Sequence, residues 1–286
     1  MASGPTTSGS PPARSVSSAT RSPVSPLSPA AVLGASGVPR FQHVVVVVEE
    51  NKSYGDVIGN ASAPYLNSLA TSGALFTDAH AVSHPSEPNY LALFSGSTQG
   101  LADDSCPHRY STPNLGSELA AAGLSFAGYS ESLPADGSTT CWAGEYGRKH
   151  NPWSDFPAVP SSSNRRFAEF PTDFDRLPTV SFVIPNLADD MHDGSIAAGD
   201  GWLRAHLAGY ARWANTHHSL LVVTWDEDDN SSGNQIATVF AGQQVRSGRY
   251  ARRIDHYSVL RTIEDAYRLS HAGASGSAAP ITGTWR

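Results

Sequence analysis

Phe41-Gln42-His43-Val44-Val45-Val46-Val47-Val48 runs directly into Glu49-Glu50-Asn51-Lys52-Ser53. The first half of this stretch is a continuous β-branched run. A strand without polar alternation has no solvent-facing side, so it predicts an interior strand of a parallel sheet covered on both faces. The polar half marks the carboxyl end of that strand, where open α/β sheets place their ligand sites.

The same alternation continues downstream. Ser62 and Pro64 suit a helix start and Gly73 its end. Leu75-Phe76-Thr77 reads as a short strand. His84-Pro85-Ser86-Glu87-Pro88-Asn89-Tyr90 opens a helix with Ser86 at its N-terminus and Gly96 beyond its end. A helix starting at Thr112-Pro113 and closed by Gly123 leads to a strand over Ser125-Phe126-Ala127-Gly128-Tyr129. Residues 131–175 are irregular and rich in Pro, Ser and aromatic side chains; a loop that long inside a compact domain is expected to be functional.

Regular alternation then returns. Thr179-Val180-Ser181-Phe182-Val183-Ile184 is a strand that ends at Pro185-Asn186. A helix carrying Leu203, Leu207, Tyr210 and Trp213 on one face precedes the strand Ser219-Leu220-Leu221-Val222-Val223-Thr224-Trp225, which runs into Asp226-Glu227-Asp228-Asp229. Ile236-Ala237-Thr238-Val239-Phe240 is a further strand, and a last helix carries Val259, Leu260, Ile263 and Tyr267. Strands alternating with helices predict an α/β fold: a mainly parallel central sheet flanked by helices on both faces.

Composition bounds the rest. Residues 1–38 are dominated by Ser, Pro, Ala, Gly and Thr and hold no aromatic residue. Such a segment cannot bury enough apolar surface to offset its chain entropy and is expected to be disordered. Residues 39–286, roughly 245 in all, are expected to form one catalytic domain. The net charge of −7 argues against a nucleic-acid partner, which needs clustered cations. No apolar run reaches the ~18 residues of a transmembrane segment, and a monomer is expected. The two cysteines, Cys106 and Cys141, suggest one disulfide and an oxidising compartment, hence a secreted protein; two reduced, buried thiols are the other reading. No signal peptide is readable.

The polar clusters share one topological position. Glu50-Asn51, the residues from Asn186 to Asp193, and Asp226 to Asp229 each follow an apolar strand. Carboxylates brought together in a cleft repel and desolvate one another, and a divalent cation is the usual remedy. Glu50, Asn51, Asp226 and Glu227 offer mostly oxygen, which suits Mg²⁺, Ca²⁺ or Mn²⁺. His192 and His256 could add nitrogen and admit Zn²⁺ or iron. Any single acid here reads better as a solvated loop end; three clusters at three strand ends favour a shared site.

Ser86 is the nucleophile candidate: a helix N-terminus favours an alkoxide and receives phosphate, although the same position suits a plain N-cap. Asn89, one turn on, could donate to a phosphate oxygen or simply face solvent. His192 could act as general acid or hydrogen-bond locally. Arg148-Lys149-His150 is a compact basic run that could grip a phosphate's outer oxygens or lie solvated in its loop.

Five segments together resemble the bacterial phosphoesterase family, which contains acid phosphatases and phosphocholine-type phospholipases C. They are Glu50-Asn51-Lys52-Ser53; His84 to Tyr90; Pro185-Asn186-Leu187-Ala188-Asp189-Asp190-Met191-His192-Asp193-Gly194; Thr224-Trp225-Asp226-Glu227-Asp228; and His256-Tyr257-Ser258-Val259-Leu260. The resemblance spans about residues 40–284 and implies an alkaline-phosphatase-like fold. It implies phosphorylation of Ser86 and metal ligation by Glu50, Asn51, Asp226 and Glu227. It further implies roles for His192 as acid, Asp193 in substrate binding and His256 at the metal. Phospholipase C members often carry a Gly-rich run after the Asp-Glu pair; Asp228-Asp229-Asn230 stands here, which favours a phosphatase of monoesters, a phosphorylated small molecule or phosphoinositide, over a lipase. Two-zinc relatives usually have His where Glu227 stands, which suits a single, harder ion. A sulfatase would need a Cys/Ser-x-Pro-x-Arg setting that Ser86 lacks. A non-catalytic metal-binding surface protein is the remaining rival, and such relatives usually lose the nucleophile that Ser86 supplies.

Overall fold

The valine run forms β1 (Val44–Glu49), and all 6 of its residues are buried. The computed structural model describes residues 1–4 and 36–286; the expectation for residues 1–38 falls almost wholly outside them. After β1 come α1 (Tyr54–Val57), α2 (Pro64–Ser72), β2 (Ala74–His80), α3 (Ser86–Ser95), α4 (Leu115–Ala121) and β3 (Phe126–Ser130). The insertion holds β4 (Trp142–Ala143), β5 (Tyr146–Gly147) and β6 (Asn164–Arg166). Then follow β7 (Val180–Ile184), α5 (Ile196–Ala214), β8 (Leu220–Trp225), β9 (Gln235–Gly242), β10 (Gly248–Tyr250), β11 (Ile254–Asp255) and α6 (His256–Tyr267).

One sheet has the order β10-β2-β9-β8-β1-β7-β3-β6, with β11 also on β2. β1 sits between β7 and β8 and is parallel to both, Val44 facing Val180 on one side and Leu220 on the other. β7, β3 and β6 continue the parallel array. Only β9 runs against its neighbours β8 and β2. The sheet is therefore mixed and mostly parallel, as the alternation predicts. The exception has a local cause: residues 226–234 join β8 to β9 as a turn, without the crossover helix a parallel pairing needs. All residues of β3, β7 and β8 are buried as well, since helices cover the sheet, α2 packing with α5, and α3 with α4 and α6.

The insertion is less detached than its composition suggests. Its β6 extends the sheet beside β3, and its Trp153 joins Phe94, Phe126 and Phe182 in one aromatic cluster. Gly128 of β3 makes room for that indole: a Cβ there would lie 2.1 Å from the Trp153 ring. Cys106 and Cys141 are joined as a disulfide that ties the insertion to the loop before α4. Among the described residues no helix is long and apolar enough to cross a membrane. What the fold does for function is to bring the carboxyl ends of β1, β7, β8 and β3 to one edge of the sheet.

Candidate active site

Glu50 and Asn51 leave the end of β1, Asp226 and Glu227 leave the end of β8, and Ser86 begins α3. The three segments meet. Ser86 Oγ is 3.1 Å from Glu50 Oε2 and 3.2 Å from Glu227 Oε1, and the serine is 1% exposed. Asn51, held in a left-handed conformation with φ 51°, donates its backbone N–H to Asp226 Oδ1 at 3.1 Å. Its side-chain amide lies against Glu50 Oε2 (3.1 Å) and Glu227 Oε1 (3.3 Å). With nitrogen turned inward these are hydrogen bonds; with oxygen inward, the Asn51 oxygen joins those of Glu50 and Glu227 around the Ser86 hydroxyl.

Burial makes this cluster electrostatically costly. It pushes Glu50 well above the usual carboxylate range, with Asp226 and Asp190 adding to the effect. Asp226 rises to about 6, chiefly through burial. Burial and then the Asp226 charge raise Glu227 to about 8. Asp226 Oδ2 is buried and has no hydrogen-bond partner. Converging acidic oxygens, one of them orphaned, fit a hard divalent cation.

A second donor set adjoins the first through Glu50. Glu50, His150 and Asp190 place ligand-type atoms within 4.8 Å of one another, all buried. His150 Nε2 is 3.0 Å from Glu50 Oε1, and its Nδ1 is 3.6 Å from Asp190 Oδ2. Burial, then the Lys149 and His192 charges, keep His150 well below its ordinary pKa, so it is a neutral nitrogen donor. Its ring stacks on Tyr90, centroids 5.0 Å apart, and the Tyr90 hydroxyl donates to Glu50 Oε1 at 2.5 Å. Asp190 is pushed up to about 8, first by burial, and its Oδ2 has no hydrogen-bond partner.

Several expected roles change on this geometry. Asn89 is buried and its amide is saturated: Oδ1 accepts from the N–H groups of Val82 and Ser83, and Nδ2 donates to the carbonyls of Ser83 and Pro85. It braces the turn that delivers Ser86 and has no donor left for phosphate. His150 lies among carboxylates, beside Glu50 and Asp190. His256 Nε2 is 2.6 Å from the backbone carbonyl of Asp226; donating there buttresses the Asp226 segment and leaves the lone pair on Nδ1. Asp193 is well exposed and pairs with His192 Nδ1 at 2.7 Å, which orients that imidazole. His192 itself lies on the rim, its ring centroid 6.4 Å from that of His150.

Lys149 does reach the site. Burial opposes its charge, but attraction to Glu50 and Asp104 outweighs this and raises its pKa. Its Nζ is 3.0 Å from Asp104 Oδ2, while Asp104 Oδ1 accepts the Glu87 N–H at the start of α3. The sequence reading missed Asp190, Tyr90 and His84 as site residues. Asp190 was legible as the acid of the β7 end, and Tyr90, four residues after Ser86, shares its helix face. His84 opens the segment that ends at Tyr90, and it bridges Glu227 and Asp228, Nδ1 to Glu227 Oε2 and Nε2 3.2 Å from Asp228 Oδ1.

The Phosphoesterase family matches residues 60–270, most of the described chain. The chain belongs to that family. A phosphatidylinositol-3-phosphatase of Mycobacterium tuberculosis is 57% identical over 256 residues, covering 88% of this chain and 86% of that protein. A probable acid phosphatase of Kluyveromyces lactis is 30% identical, over 82% of this chain and 60% of its own length. Among solved structures, a protein of the alkaline phosphatase superfamily from Vibrio parahaemolyticus superimposes with a TM-score of 0.62 at 10% identity, over 85% of this chain and 71% of that one. This phosphoesterase is an enzyme of phosphoric ester hydrolysis on an alkaline-phosphatase-like fold.

Proposed function

We propose that this phosphoesterase hydrolyses phosphate monoesters, phosphatidylinositol 3-phosphate among them, through a phosphoserine formed on Ser86. The observation that carries the reading is the seat of Ser86 Oγ, 3.1 and 3.2 Å from two buried carboxylates at a helix start. Once ionised, either carboxylate takes the hydroxyl proton as Oγ attacks phosphorus in line. A divalent cation held by Glu50, Asn51, Asp226 and Glu227, with His150 and Asp190 beside them, would polarise a phosphate oxygen and lower the serine's pKa.

Lys149 and the Glu87 N–H already hold one anion, the Asp104 carboxylate. A substrate phosphate competes for the same two donors. His192, oriented by Asp193 on the rim, protonates the leaving alkoxide; water then hydrolyses the phosphoserine, with the imidazole acting as base. The relative's printed name supports phosphatidylinositol 3-phosphate as substrate, and the disulfide supports export to an oxidising compartment.

The test is phosphate release from para-nitrophenyl phosphate, with and without chelator, followed by re-addition of single divalent metals, for wild type and Ser86→Ala. Chelator-sensitive turnover restored by a metal and abolished in Ser86→Ala is expected. Full turnover in Ser86→Ala, with folding intact, overturns the assignment.

A further inference from the structure

A second cavity of about 650 Å³ opens on the same edge of the sheet as Ser86, lined by residues that leave β3 and β6. Leu133, Phe167, Phe170 and Phe174 make its walls, and Ala205 of α5 closes one side. Phe167 and Phe170 stack at 5.6 Å, and Phe170 lies 6.4 Å from Phe174, so the lining is a continuous aromatic ladder. Cavities of this size with apolar walls and a few polar groups are the usual form of small-molecule sites. Two cationic or titratable side chains, Arg166 and His206, line it as well. Arg166 is paired only through exposed contacts of 3.2 and 3.3 Å with Asp136 and Glu169, and such pairs are weak enough to be redirected to a ligand anion. The one carboxylate on the wall, Glu131, is occupied by the Asn186 N–H at 3.0 Å.

The cavity neighbours the active site. Glu131 of its wall also lines, with Asn186, a narrow cleft whose far wall includes His150. In the sheet, β1 is followed by β7, β3 and β6, so the ends of β3 and β6 lie two to three strand spacings, about 10–14 Å, from the end of β1. A phosphoinositide has matching dimensions. From the reacting phosphorus, six covalent bonds lead to the phosphodiester phosphorus and about eleven to the first acyl carbonyl. At an advance of roughly 1.2 Å per bond, as in an extended chain, these are about 7 and 13 Å away. The first acyl carbonyl then falls at the distance of the ends of β3 and β6, and the acyl chain among the phenylalanines.

We infer that this aromatic cavity receives one acyl chain of a phosphoinositide whose terminal phosphate lies at Ser86. The inference rests on the proposed phosphoinositide reading and adds a specificity site to it: the enzyme measures the lipid's apolar part as well as its phosphate.

The test compares phosphate release from glycerophosphoinositol 3-phosphate, dibutanoyl and dihexanoyl phosphatidylinositol 3-phosphate, all kept below micelle-forming concentrations. Each methylene entering an apolar site improves kcat/KM by about fourfold, so the two added to one chain between dibutanoyl and dihexanoyl give about 15-fold. Ala205→Trp, which fills the cavity from an exposed helix position, and Ala168→Asp, which puts a charge on its wall, are expected to abolish that gain and leave the deacylated substrate unaffected. Equal kcat/KM for deacylated and acylated substrates, or an undiminished gain in both variants, overturns the cavity's role alone. Hydrolysis of para-nitrophenyl phosphate without turnover of any inositol substrate overturns the phosphoinositide reading and the inference with it.

Discussion

Chelating divalent cations is expected to lower the melting temperature more at pH 7 than at pH 5. The ion-free cluster determines both sign and size. Burial raises Asp190 from 3.8 to about 8, and Glu50, Asp226 and Glu227 are raised in the same direction. A carboxyl raised in the folded state holds a proton that the unfolded chain has released. Its stabilising contribution is complete below its unfolded pKa and is lost as pH climbs through the folded value. Between pH 5 and 7 the folded state holds about one extra proton at Asp190, which costs about 3 kcal/mol of stability. The neighbours add to this in sign but not independently. At 2–4 °C per kcal/mol for a domain of this size, the ion-free protein should melt roughly 6–12 °C lower at pH 7 than at pH 5. A cation binding the ionised cluster restores this, by about 2.7 kcal/mol at a concentration 100 times its Kd, and competes poorly with protons at pH 5. The assay is calorimetry or dye-reported melting of chelated protein at both pH values, with and without single added metals. A melting temperature of the chelated protein that rises from pH 5 to 7, or an equal metal-induced gain at both, refutes the clustering of buried acids around a cation.

Other consequences are simpler to read. Ser86→Ala should reduce kcat on a monoester by three orders of magnitude or more, with circular dichroism unchanged. Asp104→Ala frees Lys149 and the Glu87 N–H, and should lower both KM and the inhibition constant of inorganic phosphate several-fold in steady-state assays. Cys106→Ser with Cys141→Ser opens a loop with a sequence separation of 35 residues, and should reduce unfolding stability by about 4 kcal/mol in denaturant titration. Gly128→Ala drives a Cβ into the Trp153 ring and should cost about 1–3 kcal/mol in the same measurement.

Much of the architecture was visible in local patterning because it has local causes. The valine run of β1 and the apolar run of β8 cannot be solvent-facing, so their place inside a covered sheet follows from side-chain type alone. Ser86 at a helix start, and acids directly after β1, β7 and β8, follow from chain order once the strands are recognised. Asn89 shows the limit. Its spacing from Ser86 was right for a phosphate contact, but which atoms an amide meets depends on how residues 82–85 fold back over it. For His256 the chain order gave the neighbourhood, but its contact with the Asp226 carbonyl could not be read there, because a ring's direction is decided by packing around it.

Hydrophobic periodicity and strand-end polarity are written residue by residue, and they suffice for the α/β class, the mostly parallel sheet and the edge at which chemistry gathers. That Glu50 faces Ser86 on one side and His150 and Asp190 on the other, and that an aromatic cavity stands within one lipid's length of them, comes from packing. Both are distances between side chains remote in sequence. Such distances are set by the strand order β8-β1-β7-β3-β6 and by how the insertion packs against it, and no local pattern encodes either.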